Sequence, residues 1–172
     1  MLRLSVCFLI ASFFFVINFG FGSVESVASL TRLTNTPEHA INLNPTLSDD
    51  GKVVVFESSA DLAGTGADSS FHALRADLAT GFTEIGASRA VCPALSSDGK
   101  IVAFASAEDL TGQNADRNSE FFLFDGLELK QVTQTEPASV ASRLTDGNFQ
   151  PSITGDGRTI AFSSNRGIFL YD

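Results

Sequence analysis

"PALSSDGKIVAF", residues 93–104, has a near copy, "PTLSDDGKVVVF", at 45–56, and another, "PSITGDGRTIAF", at 151–162. Aligning Pro45 with Pro93 gives 14 identities among the 24 positions from Pro45 to Asp68, a density that marks an internal repeat. The units are spaced 48 and then 58 residues apart, and the variation falls in polar, Gly-containing loops. Each copy places Asp-Gly (50–51, 98–99, 156–157) between two short apolar runs. That predicts a β-hairpin, with the positive φ that a type I′ turn demands falling on these two residues. The proline is expected to open the first strand, where its missing N–H does no harm.

The second strand of each copy, "KVVVFES", "KIVAFAS" or "RTIAFSS", is a nearly unbroken apolar run of β-branched and aromatic residues rather than an in/out alternation. Such a run is expected of a strand buried on both faces. A third strand follows at "FHALRAD" (71–77), "EFFLFDG" (120–126) and "GIFLYD" (167–172), and a fourth at "FTEIG" (82–86) and "LELKQVT" (127–133). Four antiparallel strands per unit, repeated and stacked face to face, describe blades of a β-propeller, so the expected fold is all-β with about three blades, a partial propeller. A helical solenoid fails because no segment after residue 22 sustains a 3.6-residue pattern. A two-sheet sandwich gives no reason for the units to be alike.

Outside the repeats, residues 4–22, "LSVCFLIASFFFVINFGFG", carry no charge and follow "MLR", the pattern of a secretory signal at 1–22 with small residues for cleavage near Gly22. An uncleaved anchor is the alternative, and the only route to a membrane. Either way the expected destination is export, periplasmic or secreted. Removing 1–22 takes one base and no acid, leaving 10 basic against 20 acidic side chains. Such a surface repels phosphate backbones, which argues against nucleic-acid partners. Cys92 then has no partner for an intrachain disulfide, and beside Pro93 it reads as a small buried hydrophobe.

Chemistry-bearing motifs are few. His39 lies in a loop and His72 begins a strand, neither within a motif, and there is no Gly-x-Ser-x-Gly elbow, His-Glu-x-x-His helix or phosphate-cradling loop. No catalytic or cofactor-binding residue is therefore assigned. The loop "DLTGQNADRNSE" (109–120) sets Asn114, Asp116, Asn118 and Glu120 at every second residue, oxygen donors of the kind calcium takes. It lacks the spacing of an EF-hand, and the plainer reading is side chains capping local turns. The corresponding loop of the first unit keeps Asp61 and Asp68 but not the alternating amides.

The stretch Pro-x-Leu-Ser-x-Asp-Gly-Lys-x-Val-x-Phe-x-Ser, followed by "FFLFD" or "IFLYD" and by "LKQVT", resembles the WD-repeat-like propeller repeat of TolB-type proteins over most of residues 29–172. The resemblance implies an exported, non-catalytic module that binds other proteins through loops at the ends of a disc. It extends to the non-catalytic propeller domain of prolyl-oligopeptidase-like peptidases, whose serine hydrolase domain this chain does not contain. The expected organisation is a signal at 1–22, a segment at 23–43 contributing an outer blade strand, and repeats at 44–91, 92–149 and an incomplete 150–172. The outer strand rests on "LTRLTNTP" (30–37), which matches "LKQVTQTEP" (129–137). Three blades are too few to close a ring. The chain is then a piece of a longer propeller, half of a ring closed by self-association of two copies, or an open stack with bare apolar faces. The protein partner is unknown.

Overall fold

The computed structural model describes residues 29–66, 71–135, 148–164 and 167–172. The chain divides into two units, residues 1–33 and 34–172, and the second carries all the structure discussed below. The expected signal at 1–22 lies outside the described residues. Among those described, no helix is long and apolar enough to cross a membrane.

Eleven strands among the described residues make three antiparallel sheets. The first runs β1 (Asn42–Leu47), β2 (Val53–Ser58), β3 (His72–Asp77) and β4 (Gly81–Gly86) in chain order. The second repeats the order with β5 (Val91–Leu95), β6 (Val102–Ser106), β7 (Glu120–Phe124) and β8 (Leu129–Gln131). The third holds β9 (Asn148–Ile153), β10 (Ile160–Ser164) and β11 (Gly167–Tyr171).

The apolar runs explain why the sheets stack. Successive residues of a strand point to opposite faces, so an unbroken run needs cover on both. In β6, Val102 and Phe104 face a core shared with Val55, Ala73 and Ile85 of the first sheet, while Ala103 faces one shared with Ile160 and Phe162 of the third. β7 divides likewise: Phe122 stacks on Phe104 at 5.8 Å within its sheet, and Phe121 stacks on Phe162 across the next interface at 4.9 Å. Phe104, Phe121 and Phe122 have no exposed surface. Phe162 in turn stacks on Phe169 of β11.

The Asp-Gly turns differ from expectation in type. A type I′ turn needs both central residues at positive φ. Here only the glycines are left-handed, with φ of 72° at Gly51, 65° at Gly99 and 73° at Gly157. The turn spans four residues, closed by Gly51 N–H to Ser48 O, Gly99 N–H to Ser96 O and Gly157 N–H to Thr154 O. A hydroxyl two residues before the aspartate accounts for the shift. Ser48, Ser96 and Thr154 each donate to the Oδ1 of Asp50, Asp98 or Asp156 and accept an N–H from the start of the next strand. The same Oδ1 accepts the N–H of Lys52, Lys100 or Arg158. Ser48 Oγ and the Lys52 groups hold the Asp50 carboxyl at about 2; for Asp98 the Lys100 N–H, then Ser96 Oγ, do the same, again to about 2.

These turns also join sheet to sheet. Asp49 N–H donates to Ser97 O at 3.2 Å, Ser97 N–H to Gly155 O at 2.8 Å, and Ser97 Oγ to the Asp49 carboxylate. Arg75 Nε of β3 reaches Gly99 O at 2.9 Å. The approach is close enough to exclude a side chain: a Cβ on Gly99 would lie 2.5 Å from Val53 Cβ, and one on Gly157 2.7 Å from Ile101 Cγ1.

Two further expectations need correction. The prolines do not open their strands. Each sits inside one, after a left-handed residue: Asn44 (φ 51°) before Pro45, Cys92 (49°) before Pro93, Gln150 (50°) before Pro151. The register shifts at these points, between Leu43 and Thr46 and between Val91 and Ala94, so the proline occupies a β-bulge on an edge strand, where no ladder N–H is missed. That bulge also turns Cys92 outward, so the thiol is exposed and Pro93 is the buried residue. Of the segment 23–43 expected to bring an outer strand, residues 42–43 belong to β1, and residues 29–41 form no strand with the described sheets of this chain. There Ala40 N–H closes a turn onto Pro37 O at 3.0 Å.

Gly51 has the same left-handed φ as Gly99 but open space where a Cβ would go. Gly51→Ala should therefore cost only the backbone strain, about 1–2 kcal/mol. Gly99→Ala should cost about 1–3 kcal/mol more, from the clash with Val53. Urea unfolding of the two variants checks the difference. Carboxyls held near 2 in the folded chain, against ~3.9 unfolded, stabilise it fully above about pH 4 and lose that contribution as pH falls through about 2. Asp98→Asn should flatten the loss of stability between those limits in an acid titration followed by circular dichroism.

Candidate functional site

The repeat places a polar cluster at the same end of the first two sheets, where β2 passes to β3 and β6 to β7. In the first sheet the loop after β2 supplies Asp61. Its Oδ1 accepts Thr65 N–H at 3.0 Å and its Oδ2 accepts Gly66 N–H at 2.8 Å. These backbone donors, Gly66 first, hold the Asp61 carboxyl below the usual carboxylate range. His72, the first residue of β3, is buried, and its Nδ1 lies 3.2 Å from Glu84 Oε2 of β4. Thr65 Oγ1 donates to the same Glu84 oxygen. One ligand atom from each of Asp61, His72 and Glu84 lies within 4.8 Å of the others, so a carboxylate, an imidazole and a second carboxylate converge.

In the second sheet Glu120 stands where His72 stands in the first, each opposite a serine, Ser106 or Ser58. Glu120 is 1% exposed. Its carboxylate accepts Thr133 Oγ1–H, Thr135 N–H at 2.6 Å and Thr135 Oγ1–H at 2.7 Å. Asn114, also 1% exposed, donates its N–H to Asp109 Oδ1 at 2.8 Å and its side-chain amide to Asn118 O at 2.9 Å. Asn118 donates its amide to Thr135 O at 2.7 Å. The amide oxygens of Asn114 and Asn118 are buried without a hydrogen-bond partner. Asn114, Asp116 and Glu120 line an open polar cavity of about 520 Å³.

Of the candidate calcium residues, then, Asn114 and Glu120 are buried and bonded into the loop, Asn118 is half-buried on Thr135, and Asp116 is exposed. His39 is exposed. Asp68 lies outside the described residues. Sequence reasoning treated His72 singly, because Asp61, His72 and Glu84 come from three elements separated by 11 and 12 residues. The signal lay in the repeat alignment, which sets His72 against Glu120.

A third buried carboxylate, Glu57 of β2, is fully covered. It accepts the amide of Asn44 at 2.6 Å and Nε of Arg89, whose guanidinium lies 4.8 Å above the Phe71 ring. The left-handed backbone at Asn44 thus aims an amide at a buried charge.

No protein-family model and no curated protein matches the chain. Among solved structures it is similar to an oligogalacturonate lyase from Vibrio parahaemolyticus, at 12% identity and TM-score 0.55, over 85% of this chain and 39% of that one. It is also similar to the β-propeller domain of a trilobed protease from Pyrococcus furiosus, at 19% identity and TM-score 0.49, over 77% of this chain and 39% of that one. The similarity to TolB from Acinetobacter baumannii is 22% identity and TM-score 0.49, over 77% of this chain and 30% of that one. At such identity the likeness concerns the fold, and the chain spans less than two fifths of the length of these structures. With stacked antiparallel sheets of four, four and three strands, it is a partial β-propeller.

Thr133 both supports Glu120 and accepts the Phe121 N–H at 2.8 Å. Thr133→Val keeps the shape and removes both bonds. It should destabilise the chain by about 1–3 kcal/mol, the cost of buried polar groups left unmade, as read by urea unfolding.

Proposed function

We propose that this chain is an exported, non-catalytic propeller module that binds protein by strand addition, a second copy of itself first of all. The carrying observation is β11. Among the described residues nothing pairs with its free edge, and Ile168 and Leu170 are 77% and 70% exposed. An apolar strand edge of this kind is a template for another strand. In the second sheet the equivalent edge is covered by β8, with Phe122 opposite Gln131. The sequence around β8, "LKQVTQT", has its likeness in "LTRLTNT" at 30–36, so a second copy carries a segment suited to the free edge. Export is supported by the uncharged run at 4–22 behind a basic start. A propeller serves an enzyme and a binding protein equally well, so the fold alone does not choose between them.

The full chain should therefore be a dimer by light scattering across the micromolar range. Ile168→Asp with Leu170→Asp should leave a monomer whose circular dichroism matches the parent. A parent that is monomeric throughout, or association that survives the double substitution, would sink the reading.

A further inference from the structure

Four features lie outside strand addition: the cavity beside Asn114, the buried Glu57–Arg89 pair, the exposed Cys92, and the convergence of Asp61, His72 and Glu84. Glu57 is satisfied within the fold, and Cys92 stands by itself. The amide oxygen of Asn114 is covered on all sides, so a ligand in the adjacent cavity does not reach it. The fourth feature carries further.

We propose that Asp61, His72 and Glu84 form a binding site for a divalent first-row metal ion, with Zn²⁺ the best match to the donors. Donor atoms on a tetrahedral ion held at about 2.0–2.2 Å lie about 3.3–3.6 Å apart. His72 Nδ1 and Glu84 Oε2 already stand 3.2 Å apart, and the widest separation in the cluster, within 4.8 Å, closes to that range by a shift of about an ångström. Imidazole nitrogen with carboxylate oxygen suits zinc better than calcium, which prefers oxygen alone.

The surroundings fit such an ion. His72 and Glu84 have side chains only 3% and 9% exposed, so two ligands are held by packing on adjacent strands, while Asp61 is open to solvent and gives an entry route. The hydrogen bonds from Thr65 and Gly66 orient Asp61, and Thr65 Oγ1 orients Glu84, the supporting contacts that metal ligands require. Glu84 and Thr65 border a groove of about 510 Å³ that leaves room for water ligands. The donor set joins two carboxylates, one covered and one at the solvent edge, to an imidazole, a combination that a divalent cation complements.

Of the three ligands only Asp61 recurs in the repeat, as Asp109, whose carboxylate accepts Asn114 N–H as that of Asp61 accepts Gly66 N–H. In the second sheet the position of His72 holds Glu120 and that of Glu84 holds Gln131, opposite Phe122 as Glu84 is opposite Leu74. There hydroxyls and an N–H satisfy the carboxylate. The propeller architecture therefore accommodates this place without an imidazole on the third strand or a carboxylate on the fourth.

The test is titration of the full chain with Zn²⁺ by calorimetry, and with Co²⁺ by visible absorption. One ion per chain should bind, Zn²⁺ should raise Tm, and Co²⁺ should develop d–d bands that Zn²⁺ abolishes. His72→Gln, Glu84→Gln and Asp61→Asn should each weaken Zn²⁺ binding by about tenfold or more. Asp61→Asn lies at an exposed position, so its effect is separable from misfolding, which circular dichroism checks in all three. His39→Gln changes the only other histidine and should bind Zn²⁺ like the parent. No saturable binding, or equal binding by the parent and Asp61→Asn, would overturn the proposal.

Discussion

Burial of both faces of the second strand in each repeat is the constraint on which the rest of this structure depends. β6 has no solvent face: every one of its residues is buried, so it is stable only with a sheet on either side. Large and small residues are distributed to permit this. Phe104 fills the interface toward the first sheet, while Ala103 leaves space on the opposite face for the stack of Phe121 on Phe162. Non-directional apolar burial draws the sheets together, and the aromatic stacks set how they meet.

Directional contacts then fix the spacing. The Asp-Gly turns sit in direct contact between neighbouring sheets, and they combine a hydroxyl, a carboxylate and a glycine. The hydroxyl and carboxylate close the turn internally. The glycine supplies left-handed backbone and, at Gly99 and Gly157, the absence of a Cβ that lets the preceding sheet come near. The same short sequence thus specifies a hairpin and an intersheet joint. This dual duty gives a physical reason for the strong similarity of the three copies at the turn.

Polar residues follow a different rule. Buried carboxylates occur in the first two sheets, and each is provided for differently: Glu57 by an arginine and a bulge asparagine, Glu120 by two threonines, Glu84 by a histidine and a threonine. A buried charge must be paired or hydrogen-bonded, but the fold does not dictate by what. Individual character in this otherwise repetitive chain is therefore concentrated at the buried acids and at the strand edge of β11.

Pattern and turn chemistry were enough to read the sheets from the sequence. The repeated apolar run required two-sided cover, and Asp-Gly required a reversal of the chain, both local consequences of residue type. The type of turn was also written there, in the Ser or Thr two residues before each aspartate, although the Asp-Gly pair alone suggested a tighter one. Tertiary structure alone decided the left-handed bulge before each proline, since the amides Asn44 and Gln150 and the thiol Cys92 take the same backbone, which strand pairing imposes. It also decided the convergence of Asp61, His72 and Glu84. Register between β3 and β4 and closure of the loop after β2 bring those residues together, and neither follows from the spacing of residues along the chain.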